Sequence, residues 1–369
     1  MAMKSSGTPG QIITFYSYKG GTGRTMALAN VACLLAQRDS EGQGVLIVDW
    51  DLEAPALHHY LRDKFERQFP DADRRSQALR EYPGLIDLSL ELDAIAHIPD
   101  WTNRGQDEDA GSKLFNEVDL GRFVLETDIP SLYLLKAGRF DEKYASLVNT
   151  FNWEELYNRV PWLFWSFAER LTEQYRYVLI DSRTGLTDTS GICTMLMPDK
   201  LVVVFTPNLQ SLTGITELIL EATSYRKRSD DLRPLVVFPL VSRIEPTEAN
   251  LHRLWRFGDP EKGFSGYQHQ FEEIFKQAYG LPQCGLKAYF DEVLIQHVAR
   301  YAYGEGIAVL DEEPDRLALA RRYESFASRL VNLIGPWEYQ AEAYPIPTAT
   351  GRRPLSLDLH LSGTCPYRG

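Results

Sequence analysis

Lys19-Gly20-Gly21-Thr22-Gly23-Arg24-Thr25 decides the fold of this chain. Before it, residues 12–17 (I-I-T-F-Y-S) have the composition of a buried strand. After it, residues 25–37 (T-M-A-L-A-N-V-A-C-L-L-A-Q) form a helical pattern apolar nearly all round, and therefore buried. A glycine-rich turn from strand to helix aims backbone N–H groups at one point, where the helix dipole also favours an anion. Glycines let the backbone approach a phosphate with no side chain between them. The stretch predicts a phosphate cradle, and with it a nucleotide-binding protein.

The ordinary Walker A pattern, G-x-x-x-x-G-K-[ST], fails here at two places. Tyr18 stands where its first Gly belongs and Arg24 where its Lys belongs. The pattern K-G-G-x-G-K-[ST] fits better, with Lys19 leading it and Arg24 as the departure. The run S-Y-K-G-G-T-G-R-T-M-A-L-A-N-V-A resembles the deviant Walker A loop of the ParA/MinD family of dimerising P-loop ATPases, in its arginine-bearing KGGVGR-motif branch. The resemblance implies ATP and Mg²⁺ as cofactors. It implies that Lys19 reaches across a homodimer to the partner's nucleotide. Gly20, Gly21, Thr22, Gly23, Arg24 and Thr25, ahead of Met26, would cradle the phosphates. Arg24 would replace the usual lysine as a planar, always-charged clamp, and Thr25 would bind Mg²⁺ by its hydroxyl.

Two further apolar runs end in acids. Val45-Leu46-Ile47-Val48-Asp49-Trp50-Asp51-Leu52-Glu53 resembles the family's second strand and switch I. An acid beside a γ-phosphate can orient a water or support Mg²⁺. Asp51 is the candidate for positioning the attacking water. Asp49 either supports the Mg²⁺ site or caps a strand end. Tyr177-Val178-Leu179-Ile180-Asp181-Ser182-Arg183-Thr184-Gly185 looks like Walker B running into switch II, with Asp181 holding Mg²⁺ through water. Arg183 either stabilises developing phosphate charge, as an arginine finger does, or forms a structural salt bridge, with Asp188 as one partner. Asn208 and its neighbours in 207–211 match a loop that faces the base or orders the switch. Ser242 stands where the family often has an Asn that reads adenine. Tyr289-Phe290-Asp291 and residues 303–307 match the last strand and the base-side loop loosely.

Several function classes are disfavoured by composition. The 369 residues carry a net charge of −12, with no dense Lys/Arg run. A protein that grips nucleic acid through its phosphates needs a basic face, so nucleic acid is not expected as a partner. No run of 18 apolar residues appears, so neither is a membrane span. A MinD-like membrane anchor needs a basic amphipathic C-terminal helix; the tail holds Pro345, Pro347 and Pro354 instead. The first ten residues lack the apolar core of a signal peptide. Cys33, Cys193, Cys284 and Cys365 are scattered without metal spacing and read as reduced thiols of a cytoplasmic protein. His58-His59 has no companion ligands and reads as a surface loop.

Apolar runs at 12–17, 45–50, 131–135, 177–182, 201–206 and 235–241 alternate with helical patterns. Most are continuous rather than alternating, which suits strands buried on both faces. The expected fold is α/β: a doubly wound, mostly parallel sheet with helices on both faces. Residues 1–10 are read as a flexible N-terminus. Residues 11–340 are read as the ATPase domain, with a less regular insertion around 63–128 that includes an exposed loop at 101–113. Residues 341–369 are a linker and tail; Leu355, Leu357, Leu359 and Leu361 either share one face of a docked strand or belong to a flexible end. The aromatic group Trp153, Tyr157, Trp162, Phe164, Trp165 and Phe167 is placed on a helix pair, at least half of it core. The reading points to an ATP- and Mg²⁺-dependent dimerising ATPase switch that recruits or releases another protein. Its alternative is a nucleotide-gated scaffold with little or no hydrolysis, because arginine is not a neutral replacement for lysine at a phosphate.

Overall fold

Eight strands form one sheet in the computed structural model: β1 (Gln11–Tyr16), β2 (Val45–Asp49), β3 (Leu125–Glu126), β4 (Leu132–Leu135), β5 (Tyr177–Asp181), β6 (Lys200–Phe205), β7 (Val236–Ile244) and β8 (Leu294–Gln296). The structure describes residues 9–98, 110–185, 191–229, 231, 233–312, 318–332 and 335–337. The strand order is β3-β4-β2-β5-β1-β6-β7-β8. Every pairing is parallel except β3 with β4. The chain leaves β1 toward β2 on one side and returns to place β6 on the other. The order therefore reverses at β1, where sheets of this kind bind ligands beyond the strands' carboxyl ends.

Helices cover both faces. In chain order they are α1 (Arg24–Gln37), α2 (Leu57–Tyr60), α3 (Ala72–Glu81), α4 (Leu85–Ala96), α5 (Ala110–Glu117), α6 (Tyr144–Thr150), α7 (Trp153–Arg159), α8 (Trp162–Gln174), α9 (Leu209–Arg228), α10 (Ala249–Phe257), α11 (Tyr267–Tyr279), α12 (Lys287–Glu292), α13 (Ala299–Gly304), α14 (Ala308–Asp311) and α15 (Leu319–Val331). Strand side chains alternate between faces, and two cores follow. Ile13, Phe15, Ile47 and Leu179 pack with α1, α9, α11 and α15. Ile12, Leu46, Val48, Val178 and Ile180 pack with α4, α7 and α8. Among the described residues, no helix is long and apolar enough to cross a membrane.

Three features depart from the sequence reading. The insertion around 63–128 holds three helices, α3, α4 and α5. Of the loop expected at 101–113, residues 101–109 lie outside the described residues and the rest opens α5. Tyr289-Phe290-Asp291 lies on α12, and the last strand is the three-residue β8 beyond it. His58 and His59 sit on α2, with the half-buried His58 ring 4.7 Å from Phe140, rather than in a surface loop. Of the six aromatics before β5, Trp153, Phe164 and Phe167 are buried. Trp153 stands on α7, Phe164 and Phe167 on α8. The expected tail strand at 355–361 lies outside the described residues.

Gly214, inside α9, is a contact the strand-and-helix pattern cannot reveal. A Cβ there would stand 2.2–2.4 Å from the Tyr18 ring. Tyr18 directly precedes Lys19, so the helix face and the glycine loop are seated on each other. Gly→Ala in a helix interior ordinarily stabilises by about 0.5–1 kcal/mol. Here Gly214→Ala should instead destabilise by about 1–3 kcal/mol, the usual cost of overpacking. Urea denaturation checks this; a variant at least as stable as the parent would show that Tyr18 does not need this seat.

Candidate nucleotide-phosphate site

The glycine loop joins β1 to α1. Gly21 and Gly23 hold φ of 73° and 85°, the left-handed region that glycine enters without penalty. A Cβ on Gly20 or Gly21 would meet nothing within 4 Å, so the loop's outer face is open. No side chain caps the first turn of α1 and no acid lies in it. Among the described residues its leading N–H groups and positive dipole end thus have no side-chain partner, the arrangement that favours an anion. Below, the loop is tied down. Ser17 Oγ donates to the Lys19 carbonyl at 2.9 Å, and Ser242 Oγ to the Thr22 carbonyl at 2.6 Å. Lys19 is half-buried and forms no ion pair among the described residues.

Strand alternation puts three acids beside this loop. Val45, Ile47 and Leu179 face α1, so Asp49 and Asp181, at even spacing from them, face the same way, and Asp51 joins them from the loop just after β2. Asp49 and Asp181 are register partners across β2 and β5. Arg24, on the first turn of α1, meets them. Its Nη2 donates to Asp51 Oδ2 at 2.7 Å and its Nε donates to Asp181 Oδ1. Thr25 Oγ1 donates to the other Asp181 oxygen at 2.6 Å. Arg24 is only 6% exposed and Asp181 is fully buried.

The charges are unequal: three carboxylates face one guanidinium. Burial raises the Asp181 carboxyl above the usual range, against the pull of Arg24 and the Thr25 hydrogen bond. Asp49 goes well above it, from burial first and the Asp181 charge second; its one acceptor bond is to the Leu57 N–H at 3.1 Å. Burial works against the Arg24 charge, but Asp181 and Asp51 outweigh it and its pKa rises. Buried polar atoms without partners among the described residues gather here: Tyr16 Oη, Thr22 Oγ1, Arg24 Nη1 and Asp49 Oδ1. Such atoms are rare in a finished interior. Among the described residues, no three His, Cys, Asp or Glu side chains form a ready cage for a metal. Mg²⁺ does not need one, since it keeps waters and takes one or two protein ligands plus phosphate oxygens. The donor set of Thr25 and Asp181 suits that habit.

The structure therefore brings Arg24, Thr25, Asp49, Asp51 and Asp181 together under the loop. It turns Arg24 toward the acids rather than toward the loop's open face, because a buried guanidinium takes the carboxylates within reach. Arg183 pairs with Glu53, Nη2 to Oε2 at 2.7 Å, so its salt bridge joins the loops after β2 and β5; Asp188 lies outside the described residues. A cavity of about 400 Å³ opens beside that pair, against Trp50, Asn152 and Trp153, and none of the glycine loop lines it. Ser242 is committed to the carbonyls of Thr22 and Phe205, which leaves a base-reading role without its hydroxyl proton. Asn208 caps α9 by accepting from the Ser211 N–H at 2.9 Å. Glu305, in the loop after α13, holds φ at 51°. The Glu53 and Tyr18–Gly214 contacts went unpredicted, because each joins residues far apart in sequence.

The AAA domain family model matches residues 10–233. No curated protein matches the chain. Among solved structures, McdA of Cyanothece in complex with ATP is 14% identical at a TM-score of 0.52, over 88% of this chain and 97% of that one. The apo form of McdA is 15% identical at 0.52, over 87% and 99%. A protein of Borrelia burgdorferi assigned to plasmid partition, bound to AMPPNP, is 16% identical at 0.51, over 87% and 98%. At these identities the likeness is one of fold.

Proposed function

This chain belongs to the AAA domain family and has the ParA/MinD-type P-loop fold, and from that premise we propose that it is an ATP- and Mg²⁺-dependent dimerising ATPase switch. The observation that carries the reading is the meeting of Thr25 and Asp181 under an open, uncapped glycine loop. The N–H groups from Gly20 to Thr25 would hold the α- and β-phosphates, and Thr25 with Asp181 would hold Mg²⁺. The metal, when bound, supplies charge neutralisation between the phosphates. Asp51 stands at the carboxyl end of β2, where its carboxylate would orient the attacking water. Ser242 fixes the loop from beneath, so the cradle is preorganised before ligand arrives. Residues 11–340 would act as one ATPase domain, and the nucleotide-dependent dimer would recruit or release a partner protein.

A second reading, binding and dimerisation with little hydrolysis, draws on one observation. Asp51 gives one carboxylate oxygen to Arg24, and while that bond lasts only its other oxygen is left to turn a water. Phosphate release separates the two. The switch reading expects slow release that needs Mg²⁺, abolished in Asp51→Asn with ATP binding retained. Release no faster in the parent than in Asp51→Asn, with ATP bound by both, leaves the scaffold. Failure of the parent to bind ATP removes both readings.

A further inference from the structure

We propose that the C-terminal tail of this chain folds back onto α10, so that Leu355, Leu357, Leu359 and Leu361 cover an exposed apolar stripe there. The stripe is what calls for an occupant. Helix α10 turns an arginine inward and large apolar side chains outward. Arg256 is the one residue of the helix that is buried, and it donates to Asp291 Oδ1 at 2.7 Å and to the Lys287 carbonyl at 3.0 Å. Leu251, Leu254 and Phe257 are 51%, 42% and 54% exposed. At a spacing of three they share one side of the helix. That inverts the ordinary arrangement, in which the apolar face meets the core and charge meets water. The other exposed large apolar residues among those described, Ile98, Leu209 and Tyr303, each stand alone in their segments. Single ones need no explanation, whereas a contiguous group marks a contact.

The place where the chain leaves the domain selects the occupant. Trp337, the last described residue, packs on the C-terminal half of α11, its ring 5.7 Å from Phe275 and 4.8 Å from Tyr279. The other end of the same helix holds α10. There His252 Nε2 and Tyr267 Oη share a hydrogen bond at 3.0 Å, and Arg256 Nε donates to Gln268 Oε1 at 2.9 Å. Only the length of α11 separates the exit from α10, and its 13 residues make about 20 Å. Residues 338–354, as an extended proline-bearing linker, span up to about 50 Å and so reach with slack. Beyond them, leucine at every second position from 355 to 361 gives an extended segment one apolar face. Three successive leucines cover about 13 Å of extended chain, and the stripe from Leu251 to Phe257 is about 9 Å long. A lone strand needs a surface to pack on. Tethering by a linker of this size gives an effective concentration on the order of millimolar, which a second copy in dilute solution does not match. Seated there, the tail screens the stripe, and any other protein that uses α10 must first displace it.

The test is disulfide trapping in the full chain. Cys33, Cys193 and Cys284 are buried, so Cys365→Ser clears the background. Leu254→Cys and Leu357→Cys are then placed together. Mild oxidation should close a bridge within one chain, read as a faster-running monomer on a non-reducing gel. It should form at least tenfold faster than in a control pairing Leu357→Cys with Ile98→Cys, since Ile98 follows α4 on the other face of the sheet from α11. Leu251→Asp with Phe257→Asp should remove the difference. Leu355→Asp with Leu359→Asp, confined to the tail, should do the same and serves if the helix variant does not fold. Equal rates in the two pairs overturn the proposal, as does no bridge in either. A fast bridge that survives the aspartates also overturns it. So does a bridged dimer whose yield rises with protein concentration, because the stripe then takes the tail of a second copy.

Discussion

Asp181→Ala should cost the chain both its Mg²⁺-dependent nucleotide chemistry and a large part of its stability. Asp181 is fully buried and accepts from two side chains at once, Arg24 and Thr25. Removing it leaves a buried guanidinium with Asp51 alone. Breaking a buried ion pair from one side costs about 3–5 kcal/mol, a large fraction of a typical domain's stability. The metal loses its proposed protein anchor as well, and a water-mediated ligand of this kind is worth roughly 10–100-fold in metal affinity. Asp181→Asn separates the two effects. The amide oxygen can still accept from Thr25, so the fold should survive with a smaller loss, while Mg²⁺-dependent turnover falls as it does in the alanine variant. Denaturation midpoints and phosphate release measure the pair. A stable Asp181→Ala protein that still hydrolyses ATP at the parent rate would end the assignment of this acid.

Continuous apolar runs made most of the sheet legible. β1, β2 and β4 to β7 lie within a residue or two of the expected positions, except that β7 runs on to Ile244. Strands buried on both faces have little choice but to be apolar along their length. The edges were not legible. β3 is a two-residue antiparallel strand, too short to show any period. β8 has three residues, and the aromatic run just before it carries strand propensity while packing as helix α12. Tertiary packing overrode local preference there. α3 is polar nearly throughout, with only Leu79 buried, so it offered no apolar stripe to read.

The candidate site divides the same way. Its membership was legible because each acid ends an apolar strand and the loop has a fixed pattern. Its wiring was not. Arg24 meets acids 27 and 157 positions away, and no local rule tells an arginine at a helix start whether phosphate or carboxylate will hold it. The same holds for Arg183, whose partner is Glu53. Ser242 stands at the expected position, yet its hydroxyl goes to the loop's backbone. Resemblance transfers positions; hydrogen-bond partners follow from which groups burial leaves unpaired.

Lys19→Ala should leave the folded monomer intact and abolish ATP-driven dimerisation. The side chain is half-buried and makes no ion pair among the described residues, so its loss removes no internal bond that holds the fold. Only its backbone is used internally, as the acceptor for Ser17, and alanine keeps that carbonyl. Stability should therefore change by no more than about 0.5 kcal/mol, as for surface substitutions away from special features. An ammonium with no ion-pair partner among the described residues, on an open glycine loop proposed to hold phosphates, is available to a triphosphate held by a second copy. The same end of the sheet offers apolar surface for such a contact. Leu209, just after β6, is 62% exposed and Tyr303, in the segment after β8, is 86% exposed. Charge-assisted bonds to phosphate are among the stronger polar contacts. Two symmetric ones lost from a closed dimer, at about 1.5–3 kcal/mol each, would weaken association by roughly 10²–10⁴-fold. Sedimentation velocity with ATP and Mg²⁺ is the measurement. The parent should shift from monomer to dimer on adding nucleotide, and Lys19→Ala should stay monomeric while still binding ATP. A variant that dimerises as strongly as the parent would place the lysine's charge on its own subunit's nucleotide, and the dimer contact would have to come from elsewhere on that face.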